Sequence, residues 1–229
     1  MLAYKAWRES QVRFLLSAAA LAWFCGVFVV FRSGIRDAAD KPYQSFIVDA
    51  IYAGGIRNLY VMFVIVLGLG GLLQERARGT AGFTLALPRQ RARHVAVRAA
   101  IGLGEVAGLA SMPTLAVMLL SPLMREAYPL DDALRFSAQW AAGGAVLFAG
   151  SFLLSVLLAG PYSALASSMA ALLAYSLLVN VSVIRQFPWL NVFSIMASPQ
   201  LPVAGLVGAV LVTIAIVAFA AWMTEQQDF

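Results

Sequence analysis

Glu105 is the side chain in this sequence that most needs a chemical reason. It stands about ten residues into an apolar run from about Val95 to Leu120, roughly 15 Å along a helix. At that depth a carboxylate is costly and seldom faces lipid. Gly104 and Gly108 flank it in a Gly-x-x-x-Gly spacing, which lets helices meet closely. Two roles are open to such an acid. It can be packed, protonated or hydrogen-bonded, within one subunit, or it can belong to a translocation path or a subunit interface. Gln139 and Asn180 are further polar groups able to bond across helices, and Pro113 can kink its run.

Residues for enzymatic chemistry are not grouped in the expected ways. The single histidine, His94, lies among Arg91, Arg93 and Arg98 and reads as a solvated loop residue. The spans carry no serine–histidine pair, paired aspartates or metal-ligand cluster. The only lysines, Lys5 and Lys41, do not follow a glycine, so the phosphate-binding loop of ATPases is absent from the sequence. Cys25, the one cysteine, excludes an intrachain disulfide and a cysteine-built metal cluster. The expectation is a chain that is not an enzyme and carries no cofactor.

A different kind of chemistry is suggested by Gln74 to Arg89. Here Glu75, Arg76 and Arg78 precede Gly79, Thr80 and Gly82, and the apolar residues Phe83, Leu85 and Leu87 follow before Pro88. Arginines alone fit a solvated connection, but the apolar run stopped by proline reads as a short structured element. Such an element suits contact with a partner or with the headgroup layer.

The elements that must position these residues are membrane spans. Of 229 residues, 62% are hydrophobic and 12% charged, and the mean hydropathy is +0.83, far from the balance of soluble domains. Apolar runs lie at about 14–31, 52–73, 95–120, 136–159, 162–184 and 203–223, each near the length a bilayer requires. Gly160-Pro161 makes the fourth and fifth runs antiparallel neighbours. Between Arg185 and Pro202 the chain is apolar but short and proline-bounded, as in a re-entrant or interfacial segment. The expected fold is an all-α integral membrane protein, residues 1–229 forming one domain of about six transmembrane helices.

The ends and connections give orientation. Ala3, Ala6, Trp7, Ser10 and Phe14 share one side of a helical wheel opposed by Lys5, Arg8 and Glu9, with Arg13 at its margin, so an N-terminal interfacial helix is expected. With both termini cytoplasmic, nine of the 16 Lys and Arg residues lie inside, six of them clustered from Arg76 to Arg98. The net charge of +5 then orients the chain and meets anionic lipids rather than nucleic acid. Trp7, Trp140, Tyr162, Trp189 and Trp222 fall near the proposed span ends, as in interfacial belts.

Glu75-Arg76, Gly79-Thr80 and Leu87-Pro88, followed by basic residues and a new span, resemble the region after the second helix of ABC-2 type ABC transporter permeases. The layout is similar over nearly the whole chain. This resemblance implies a cytoplasmic coupling helix between spans 2 and 3, with Glu75, Arg76, Gly79, Thr80, Phe83, Leu87 and Pro88 coupling to separate ATPase subunits. It further implies a second permease subunit, identical or sibling, export of substrate, ATP and Mg bound in the partner ATPase, and a place in the bacterial inner membrane. An autonomous secondary transporter or channel is the alternative, and would normally show broken helices or several intramembrane charges.

Overall fold

A computed structural model describes residues 2–32, 41–69, 88–158, 161–178 and 191–226, and no strand occurs among them. The α-helices among the described residues are eight: α1 (Leu2–Val30), α2 (Tyr43–Ile47), α3 (Gly55–Gly68), α4 (Pro88–Leu120), α5 (Leu130–Leu157), α6 (Pro161–Leu178), α7 (Val192–Ala197) and α8 (Val203–Gln226). The stretches containing α1, α2 with α3, α4, α5 and α8 are long and apolar enough to cross a bilayer. The 18-residue α6 covers about 27 Å, slightly less than a hydrocarbon core of about 30 Å. The architecture is that of a helical membrane protein. Its exposed surface agrees, since Leu15, Leu16 and Trp23 of α1 and Leu211 and Ile214 of α8 all point outward, as side chains dissolved in lipid do.

At the centre of the bundle, α5 packs against α3, α4, α6, α7 and α8. Its inner side carries Phe136, stacked on Tyr52 of the second span, and Trp140, which packs tilted against Tyr60 and edge-on to Tyr52. The Tyr52 and Phe136 ring centroids are 4.4 Å apart, and those of Tyr60 and Trp140 4.8 Å. Tyr60 Oη donates to the Trp140 carbonyl at 2.9 Å, giving a buried hydroxyl the partner that hydrocarbon cannot supply. The approach depends on Gly144, because a Cβ there would collide with the Tyr60 hydroxyl. Gly68 similarly lets α3 reach α5, where an added Cβ would lie 2.9 Å from the Phe148 carbonyl oxygen.

The second span is interrupted. Val48–Tyr52 continue α2 as a π-helical stretch, in which Ala53 N–H donates to the Val48 carbonyl five residues back at 2.8 Å. Gly54 then ends it: a Cβ at this position would strike the Asp49 and Ala50 carbonyl oxygens. A larger residue would therefore force the break to open, and α3 starts afresh at Gly55.

Three local expectations are corrected. The first twelve residues do not form a separate interfacial helix, because α1 is unbroken from Leu2 to Val30, about 43 Å long. No glycine or proline interrupts that stretch before Gly26, so its basic first turns extend the span. His94 is not a loop residue either. Pro88 opens α4, a position that suits proline because the first amide of a helix has no internal partner. Trp140 is fully buried, held by Tyr52 and Tyr60, rather than part of an interfacial belt. In contrast, α7 has only six residues and is short for a span, as the proline-bounded segment suggests.

Candidate functional site

The start of α1, the start of α4 and the end of α3 lie together at one end of the bundle, and Glu105 is the innermost member of a charged cluster there. Helices α1 and α4 run side by side in the same direction, shown by contacts of Phe14 with Gly108 and of Gly26 with Leu120. On α1, Glu9 and Arg13 are four residues apart and share a face. On α4, Arg98 and Glu105 are seven apart, two turns, and also share a face. Packing joins the faces: Arg98 pairs with Glu9, and Ser10 Oγ donates to Glu105.

Arg13 completes the joint. Its Nη1 donates to the Val66 carbonyl at 3.4 Å, in the last turn of α3, where backbone carbonyls lack helical partners and favour a cation. Of these charged groups only Glu105 is buried, and Glu9, half-buried, also faces Lys5 at 3.9 Å. Glu105 is only 3% exposed, so it faces protein within this chain. A cavity of about 20 Å³ lies among Glu9, Ser10, Arg13, Arg98 and Glu105, with Phe148 and Phe152 at its back. That is room for about one water. The arrangement ties three helices together through polar contacts that grade from exposed at Arg13 to buried at Glu105.

The glycines beside Glu105 do not act as a pair inside the chain. A Cβ on Gly108 would lie 3.2 Å from Phe14 Cζ, whereas one on Gly104 would have nothing within 4 Å. Helix α1 covers only one of the two positions. Glu75, Arg76, Gly79, Thr80, Phe83 and Leu87 lie outside the described residues, and Pro88 is the first residue of α4.

At the other end, polar groups hold α7 in place. Arg57, in the first turn of α3, donates to the Phe193 carbonyl at 3.3 Å and lies over the Phe193 ring, 5.5 Å from its centroid. Gln139 Nε2 donates to the Ser198 and Gln200 carbonyls at 3.2 and 3.1 Å, so it does bond across elements. Tyr175 Oη accepts from Val192 N–H at 2.7 Å, and the Asn191 side chain caps α7 by accepting from Ser194 N–H. Gly143 gives α7 its seat, since a Cβ there would be 2.6 Å from Met196 Cγ. Asn180 lies outside the described residues.

Sequence reasoning singled out Glu105 but missed its partners. It assigned Glu9 to a solvated face and Arg13 to that face's margin. The usable signal was the pair of same-face spacings, acid then base on α1 and base then acid on α4. Compared with protein-family models and with curated proteins, the chain matches none.

Proposed function

We propose that this chain is the membrane-spanning permease subunit of an ATP-driven exporter of the ABC-2 type. It forms its path with a second permease subunit and is moved by separate ATPase subunits in the bacterial inner membrane. The reading is carried by one juxtaposition. The residues that flank the Glu75 to Leu87 connection, at the end of α3 and the start of α4, lie at the end of the bundle where Arg13, Arg98 and Glu105 tie both helices to α1. A force applied to that connection is therefore delivered to three spans at once. Both termini lie on the cytoplasmic side in this reading, and the connection touches the ATPase, with Glu75 and Arg76 positioning it and Phe83 and Leu87 supplying apolar contact.

The interrupted second span favours the second reading, an autonomous secondary transporter, because broken helices and buried charges are common at the sites of such proteins. The energy source separates the two. The permease reading predicts that Glu75→Lys and Phe83→Asp insert normally yet lose ATP-dependent transport by at least about tenfold, a coupling loss of about 1.4 kcal/mol or more. Transport by both variants at the unaltered rate, or transport sustained by an ion gradient without ATPase, supports the secondary transporter instead.

A further inference from the structure

Glu105 differs from the other charged groups of the joint in having no opposite charge bound to it. Arg98 takes Glu9, Glu9 also meets Lys5, and Arg13 donates to the Val66 carbonyl. Among the described residues Glu105 forms no ion pair, and its hydrogen-bond partner is the Ser10 hydroxyl. A buried acid held by one neutral hydroxyl has little to compensate a full charge. Ser10 can serve either form of that acid. Its Oγ lies 3.1 Å from the Ala6 carbonyl and 3.2 Å from the Trp7 carbonyl, as well as against Glu105, so one hydroxyl proton has three acceptors within reach. With Glu105 ionised, Ser10 donates to the carboxylate. With Glu105 protonated, the carboxyl donates to Ser10 Oγ and the serine proton turns to a carbonyl of its own helix. The contact between α1 and α4 is hydrogen-bonded in both states, and only the charge changes.

The surroundings give Glu105 access from one side. The approach is polar, past Glu9, Arg13 and Arg98, whereas Phe148 and Phe152 close the back of the cavity. Arg13 is the cation that faces the acid. His94 follows Arg98 on the same face of α4, one turn farther out. Neither α3 nor α5 places a charged residue on the cavity. Helix α8 also packs on α4, and its one charged residue, Glu225, is exposed.

We propose that the joint is a proton-binding site, in which Glu105 takes up and releases one proton through the cavity from the basic end of the bundle. The arriving proton forms the O–H bond of the carboxyl and leaves by the same route, because the aromatic back wall stops it from going farther. Each proton bound adds one positive charge beside the first turns of α4 while α1 and α4 stay joined. The site therefore responds to the acidity of one side of the membrane and does not conduct across it.

The test is infrared spectroscopy of the full chain in vesicles, titrated over the pH range in which it stays folded. The readout is the C=O stretching band of a protonated carboxyl, which arginine, lysine and histidine lack. Exposed acids share that band, so each spectrum is compared with that of Glu105→Gln. The difference is expected to contain one carboxyl that appears as pH falls and disappears reversibly as it rises. Arg13→Gln removes the facing cation and should carry the band to higher pH by about one unit, while Arg98→Gln, whose guanidinium is taken by Glu9, should move it less. Ser10→Ala removes a donor to the ionised form and should displace the band in the same direction as Arg13→Gln, so loss of insertion in one of these two variants leaves the other to decide. In sealed vesicles of one orientation, the band should follow the pH of the side from which a cysteine at Lys5 labels. A Glu105 carboxyl absent at every pH, one present at every pH, or a band that follows the opposite side would overturn the proposal. So would a band unmoved by both Arg13→Gln and Ser10→Ala, or loss of insertion in both, which would make the joint purely structural. No nucleotide or ATPase enters the measurement, so its outcome is independent of the permease reading.

Discussion

Glu105 and the bundle's glycines show what single residues contribute. Glu105→Leu removes the inter-helix acceptor of Ser10, whose hydroxyl can still reach the Ala6 and Trp7 carbonyls, and should lower stability by about 1 kcal/mol. Glu105→Gln keeps an inter-helix acceptor for Ser10 and should cost less than about 0.5 kcal/mol. Denaturant unfolding in detergent measures both, and equal stability of the leucine variant would remove the joint's energetic role. Glycines should divide by what faces them. Gly144→Ala presses a methyl group onto the Tyr60 hydroxyl and should cost about 1–3 kcal/mol. Gly104→Ala meets nothing within 4 Å and should be neutral or gain up to about 1 kcal/mol from helix propensity. A thermal shift of opposite ranking would contradict the packing described. The sequence made Glu105 conspicuous because an acid in an apolar run has few tolerable environments. It did not distinguish Gly104 from Gly108, since which glycine is covered depends on where α1 lies.

Helices add what residues alone cannot, a shared register. The Glu9–Arg98 pair joins α1 to α4, and reversing either charge alone places like charges together. Glu9→Arg with Arg98→Glu should recover about 1 kcal/mol of what the single variants lose, read as the coupling in a double-mutant cycle. Additive losses would show that the two residues do not support one another. Five of the six apolar runs were legible as stretches long enough to span, and the central place of α5 is consistent with its polar and small residues Gln139, Gly143, Gly144 and Ser151. Element boundaries were less so. The first turns of α1 read as a separate amphipathic helix because the polar side of the wheel was assigned to water, while the bundle uses Glu9 to receive Arg98. Likewise Pro88 looked like a stop and acts as a start, a distinction that one proline does not make by itself.

Over the whole molecule, charge sorting gives the orientation a direct check. In a background with Cys25 replaced by serine, single cysteines at Lys5 and His94 should label from one face of the membrane and cysteines at Arg125 and Leu201 from the other. The cytoplasmic reading requires that the first pair be protected from an impermeant reagent added outside. In the permease reading proposed above, a pull on one connection would reach α1, α3 and α4 together. That makes the central claim a question of energy source, and the most direct measurement is ATP hydrolysis by the complex purified from its native membrane through a tag on this chain. The account predicts that a separate ATPase co-purifies and hydrolyses ATP, and that Glu75→Lys severs hydrolysis from transport while the chain stays inserted. A purified chain that transports its substrate on an ion gradient, with no ATPase bound and no response to ATP, would contradict it.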